Sequence, residues 1–275
     1  MNNDPPLTNL LDSDNQETSI KTNDDRNDPL SASNILNDND NPPLENRQNH
    51  HTGITNTLLL SVIAAISGTS FHFGYASGVL NAPQDVIEAF INETNYRREK
   101  TANMSQSIIT LIFSLAVSIF AVGGMVGGLF GGYITNRLGR KGGMYLNNII
   151  SSIACILMFL SKPVYSYELL IIGRFLIGLA CGYGTSVAPT YINEISPRNL
   201  RGTLGSSFQL GIVAMLCVSQ AISLHAVLGS EDKWHYALGL PIVFSIIQVI
   251  LLFFVPESPK YLLIKKNNLI DAEKG

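Results

Sequence analysis

From residue 56 onward the chain alternates long apolar runs with short polar links. Six runs lie at 57–79, 107–134, 143–161, 168–190, 204–226 and 236–255. Each is close to the roughly 20 residues that cross a bilayer as a helix. The pattern predicts an all-α membrane protein with six transmembrane helices. In the second run the stretch FAVGGMVGGLFGGYITNRLGRKGG, residues 120–143, carries glycines on two ladders of spacing four. One ladder is Gly123, Gly127 and Gly131; the other is Gly124, Gly128 and Gly132. In water each would weaken a helix by about 1 kcal/mol relative to alanine. In lipid the same spacing lets a second helix approach backbone to backbone. The run ends at a tight basic turn, Asn136 to Lys141, so runs two and three read as a helical hairpin with cations at its tip. A phosphate-binding glycine loop fits poorly, because no strand precedes the glycines and the Walker spacing is absent.

Charge divides the chain in two. Residues 1–50 hold ten Asp or Glu, three Lys or Arg and twelve Asn, whereas the remaining 225 hold eleven acids and fifteen bases. A segment so polar cannot bury enough apolar surface to offset its ordering entropy, so residues 1–55 read as a disordered cytoplasmic tail. It lacks the basic start and apolar core of a secretory signal. Eight basic residues flank the spans on the side of the hairpin tip, namely Arg137, Arg140, Lys141, Arg198, Arg201, Lys260, Lys265 and Lys266. Five lie on the other side, Arg97, Arg98, Lys100, Lys162 and Lys233. The bias puts the tip and both termini in the cytoplasm. Both N-glycosylation sequons, at Asn92 and Asn103, fall in the link between the first two runs, on the side this topology makes external. Asn92 is the better candidate, because Asn103 adjoins the second run.

Few polar residues interrupt the runs. His72 is the one group in the first run that titrates near neutral pH, and it reads as a packing residue more readily than as a proton relay. Pro189 should kink or terminate the fourth run. Glu194, just beyond it, stands beside a basic link where Arg140 or Arg201 can pair with it, as a latch that forms in one conformation and breaks in another. Gln209 is a single amide deep in an apolar run, and burial obliges it to find a neighbouring helix or a polar ligand. Cys155, Cys181 and Cys217 all fall in apolar runs without metal-ligand spacing. No nucleophile–base pair, metal cluster or nucleotide loop is legible, so neither an enzyme, a cofactor nor a nucleic-acid partner is expected.

Several segments taken together resemble the sugar porters of the major facilitator superfamily, most closely the facilitative glucose transporters of animals. They are Gly74-Tyr75 with Gly78 to Gln84, the loop Asn136 to Lys141, Gly173-Arg174-Phe175, Tyr191 to Pro197, Leu200-Arg201-Gly202 with Gln209 to Ile212, and Pro256 to Leu263. The resemblance covers about residues 56–275. It implies that residues 56–256 form the amino-terminal six-helix bundle of a hexose carrier in the plasma membrane, and that 257–275 begin an intracellular linker. It implies a sugar hydrogen-bonded by Gln209, with Phe73, Ser77 and Ile212 lining the same cavity. It also implies an intracellular charge network of Arg137, Arg140, Lys141, Arg174, Glu194, Arg201 and Glu257.

Three positions depart from the pattern. Phe208 stands where many glucose carriers have histidine, and Lys260 where arginine is usual. Ala76 stands where proton-coupled relatives carry aspartate, and no Asp or Glu occurs between Thr57 and Asn81. Facilitated diffusion is therefore the expectation, with His72 alone keeping proton coupling open. Because Gly275 falls inside the family's linker, the expectation is an incomplete carrier, the amino-terminal portion of a full uniporter that lacks spans seven to twelve. A natural half-length protein completed by a carboxy-terminal half or a second copy is the second reading. A non-transporting subunit that regulates full-length carriers is the alternative.

Overall fold

The computed structural model describes residues 55–99, 104–258 and 260–262. The acidic tail, the Asn103 sequon and the segment beyond residue 262 lie outside the described residues.

Among the described residues, six helical segments are long and apolar enough to span a membrane. The first is not one regular helix. It is α1 (Asn56–Ala65), a π-helical turn at Ile66–Ser70, and α2 (Phe71–Gly78). The link after it, expected only as a polar connection, contains a further helix, α3 (Gln84–Glu99). Its apolar side explains this, since Ile87, Phe90 and Ile91 are buried against the end of the bundle and Phe90 packs on Trp234 at 5.1 Å. The second span, α4 (Gln106–Leu138), has 33 residues. At 1.5 Å per residue it reaches about 50 Å, well past the hydrocarbon core. The third is α5 (Arg140–Leu160). The basic turn expected over 136–141 is thus a single residue, Gly139, whose φ of 83° and ψ of 174° only glycine adopts readily. The fourth span, α6 (Tyr167–Ile195), runs through Pro189 instead of ending there. It stops at Ser196, directly before Pro197. The fifth is α7 (Arg201–Ile222). The sixth breaks at Leu240-Pro241 into α8 (Trp234–Gly239) and α9 (Ile242–Phe254).

Two seams fix the arrangement. Along the first, α4 and α6 meet backbone to backbone. A Cβ on Gly123 would lie 2.2 Å from the Phe175 carbonyl oxygen, and one on Gly127 would lie 2.1 Å from that of Leu179. The partner helix reciprocates, with Gly182 as close to the Gly124 carbonyl. The Gly123, Gly127 and Gly131 ladder faces the seam, whereas of the other ladder Gly124 alone packs tightly, since Gly132 has nothing within 4 Å and Gly128 only a distant carbonyl. The second seam joins α2 to α7, where a Cβ on Gly74 would meet the Ile212 carbonyl oxygen at 2.1 Å. Large side chains cannot enter either seam, so both rest on van der Waals contact between backbones, as is usual in lipid. The buried core lies in two clusters, one around Tyr75, Ile177 and Trp234 and one around Val62, Tyr183 and Ile192. Large apolar side chains such as Leu129, Phe130, Leu210 and Phe253 remain exposed around the outside.

Candidate functional site

The α2–α7 seam sets the first candidate region. Both helices run the same way through the bundle, so residues on the corresponding flank of each line one side of their contact. On α2 that flank carries Phe73 and Ser77, one helical turn apart and half-buried. On α7 it carries Ile212, half-buried, and Gln209, exposed. The expectation of a buried Gln209 is therefore corrected. Phe208 takes the inward position, and the next residue, turned by about 100°, emerges on the open flank. Phe73 continues the surface to α4 by an edge contact with Phe120 at 6.3 Å. The Ser77 hydroxyl donates to the Phe73 carbonyl at 2.8 Å and retains acceptor capacity. The result is an uncharged wall with an aromatic face, a hydroxyl and a free carboxamide, which is chemistry suited to a neutral polyol.

At the end of the bundle that carries Gly139, charges converge. Arg140 pairs with Glu194 at 2.8 Å, the two side chains being only 12% and 8% exposed. The second oxygen of Glu194 accepts from the Ser258 hydroxyl. Glu257 accepts from the backbone N–H groups of Arg140 at 3.1 Å and Lys141 at 3.0 Å, so its carboxylate caps the first turn of α5. That geometry satisfies two otherwise orphaned donors and places a negative charge at the positive end of the helix. Lys141 Nζ donates to the Val255 carbonyl at 2.8 Å, just past the end of α9. Arg140 also lies over the Tyr261 ring, 5.4 Å from its centroid. The starts and ends of three helices are thus tied into one knot.

Three of the residues expected in that network lie outside it. Arg137 is exposed, stacked on Tyr133, and takes part only through its carbonyl, which accepts from the Tyr261 hydroxyl. Arg201 is exposed and has no ion pair among the described residues. Arg174 is misplaced altogether by the expectation. It lies twenty residues before Glu194 on the same helix, about 30 Å along its axis. There its buried guanidinium donates to the carbonyls of Ala76 at 2.8 Å and Ala116 at 3.4 Å and stacks on Phe120 at 4.6 Å. Its GRF segment gave its identity but not its depth.

At the opposite end Arg98 forks onto Glu168, whose second oxygen also accepts from Ser166. The Glu168 carboxylate raises the pKa of Arg98 above its ordinary value, chiefly by hydrogen bonding. Asn92 lies half-buried in the middle of α3, and Thr94 of its sequon is fully buried. His72 is buried, with Nδ1 against the Gly68 carbonyl at 2.5 Å and Nε2 facing the Ser245 hydroxyl at 3.2 Å. A carbonyl can only accept, so Nδ1 carries the proton and Nε2 accepts from Ser245. Sequence reasoning missed the capping role of Glu257 on α5 and the contacts of Ser258 and Tyr261, which join residues more than sixty positions apart.

The six-helix bundle, with its open polar wall and charged knot at one end, has counterparts among solved structures. The fold matches the proton:xylose symporter XylE bound to 6-bromo-6-deoxy-D-glucose, with a TM-score of 0.68 at 24% identity over 79% of this chain and 48% of that one. It matches the partially occluded inward-open xylose transporter XylE from E. coli equally well, at 23% identity over 79% and 54%. The family described as Sugar (and other) transporter matches residues 60–275, and the chain belongs to that family. Among curated relatives, the horse (Equus caballus) solute carrier family 2, facilitated glucose transporter member 5 is 42% identical over 81% of this chain and 44% of its own length. The chicken (Gallus gallus) facilitated glucose transporter member 1 is 44% identical over 78% and 43%. The chain therefore spans less than half the length of these relatives. It is a multi-pass membrane protein of a transporter family and not an enzyme.

Proposed function

We propose that this chain forms the amino-terminal bundle of a hexose uniporter that works by alternating access. The observation that carries this reading is the uncharged wall of Phe73, Ser77, Gln209 and Ile212, left open on one side of the bundle. The carboxamide of Gln209 offers both a donor and acceptor to sugar hydroxyls, and Phe73 and Ile212 offer apolar surface to the ring. A second six-helix body, supplied by a carboxy-terminal half or another copy, closes the other side, and the two rock about the bound sugar. The end bearing Arg140 and Glu257 faces the cytoplasm, as the basic bias requires, and both termini lie there. The bundle sits in the plasma membrane, with α3 and Asn92 outside and Asn92 glycosylated before the helix packs.

The charged knot is the conformational latch. All of its contacts join elements of this one bundle, so it holds the cytoplasmic ends of α5, α6 and the segment after α9 as a rigid unit. A segment of the opposite half gates the carrier by docking there in one state and leaving in the other.

Facilitated diffusion is favoured over proton coupling. Ala76 cannot carry a proton, the buried Arg174 bonds its backbone carbonyl, and both nitrogens of His72 already have partners. Uptake of radiolabelled glucose by carrier-deficient cells tests the reading, with residues 1–275 expressed alone and fused to the carboxy-terminal half of the chicken relative. Saturable uptake with no dependence on external pH is expected of the fusion. Uptake that rises with acidity would replace the uniporter by a symporter. Surface expression with no uptake from either form would leave the regulatory subunit as the better account.

A further inference from the structure

We propose that the π turn at Ile66–Ser70 decides which side chains of α2 reach the substrate, and that Gln248 and His72 are the positioning residues that hold it open. The substrate part of this inference rests on the uniporter reading. The geometric part does not.

A π turn accommodates one residue more than an α-helical turn, so the helix beyond it is shifted in phase by about one residue, roughly 100°. Closing the turn to regular α geometry would advance α2 by that angle. His72 would then take the place of Phe73, and Ala76 that of Ser77. The wall would lose its aromatic face and its hydroxyl, and a large side chain would be driven toward the α7 backbone where only Gly74 fits. Which residues of α2 meet the sugar is therefore set some five residues upstream of the wall.

An opened turn leaves carbonyl groups without their usual helical partners, and a buried one is costly in lipid. Here side chains supply the donors. Gln248 of α9 reaches across to the carbonyls of Ala64 at 2.8 Å and Ala65 at 3.3 Å. Ser67 adds a bond to Ala64, Thr69 one to Ala65, and His72 Nδ1–H takes the Gly68 carbonyl. Gly68 is what lets Gln248 in, since a Cβ there would overlap its side chain at 1.9 Å. Ser245, one helical turn before Gln248 on α9, fixes the far nitrogen of His72 at 3.2 Å, and Phe244 packs its edge against the ring. Two residues of α9 and one of α2 thus brace a single turn, and none of the three is on the open wall. All of this polar equipment is buried.

Disulfide cross-linking reads the phase of α2 without reference to transport. In a Cys217→Ser background, Phe73→Cys paired with Phe120→Cys should cross-link on mild oxidation. Adding Gln248→Met, which keeps the shape and removes the donor, should suppress this pair. Removing Gly68 as well takes out the surplus residue, so the Phe73→Cys pair should recover. In the uptake fusion the native-cysteine Gln248→Met variant should raise KM several-fold with a smaller change in maximal rate, and deleting Gly68 should reverse it. Cross-linking unmoved by Gln248→Met in monodisperse protein would overturn the proposal, as would a deletion that fails to restore the Phe73→Cys pair. A pattern that shifts and recovers while KM stays constant would uphold the phase control and count against the substrate wall. If Gln248→Met protein is not monodisperse, recovery of folding on deletion of Gly68 carries the same prediction.

Discussion

The two ends of the bundle hold ion pairs of the same chemistry in very different surroundings. Arg140–Glu194 is nearly buried, and its neighbourhood is completed by Ser258, Tyr261 and the capping carboxylate of Glu257. Arg98–Glu168 has side chains 42% and 43% exposed. In the first, losing a partner strands a charge away from water. In the second, water replaces whatever is lost. Length and charge being equal, depth decides which pair can work as a mechanical part and which is surface decoration.

Substitutions can break that contrast, and the largest effect is expected at Glu194. Glu194→Ala leaves Arg140 unpaired and almost buried, which costs about 3 kcal/mol, toward the low end for buried pairs because some water still reaches the guanidinium. A thermal-stability assay in detergent should show a fall of several degrees, and Glu194→Gln should recover part of it. Next comes Glu257→Ala, which removes the cap from α5 and the charge beside its first turn, worth about 1–2 kcal/mol. High salt should change that loss little, because two backbone bonds are lost along with the charge. Arg98→Ala should be smallest, under about 1 kcal/mol, and should shrink further as salt is added. Comparable losses at Arg98 and Glu194 would remove the distinction between the two ends.

Much of the fold was legible because lipid imposes strong rules on sequence. Run lengths located all six spans, and glycine spacing announced a close seam along α4 without naming α6 as its partner. Which of the two ladders would pack was not legible, since both have the same spacing and the choice depends on where α6 lies. The π turn escaped for a related reason. Nothing in the small residues of ISGTS, 66–70, marks a wider turn, and the donor that reaches it from another helix, Gln248 of α9, lies nearly two hundred residues away. α3 was missed because its few apolar residues sit in a strongly polar link. At the candidate site, the motif identified Arg174 but placed it at the wrong end of α6. Only the length of the helix between Arg174 and Glu194 corrects that. Gln209 was read as buried from its apolar neighbours in sequence, whereas the flank it occupies is set by the α2–α7 contact.

The central claim is that hexose sits against the wall shared by α2 and α7. Its most direct test is protection of Ser77→Cys from a water-soluble thiol reagent, in the Cys217→Ser background and in the fusion with a carboxy-terminal half. D-glucose should slow the modification in a saturable way, L-glucose should not, and Gln209→Ala should abolish the protection. Equal modification rates with D-glucose, L-glucose and no sugar would contradict the account.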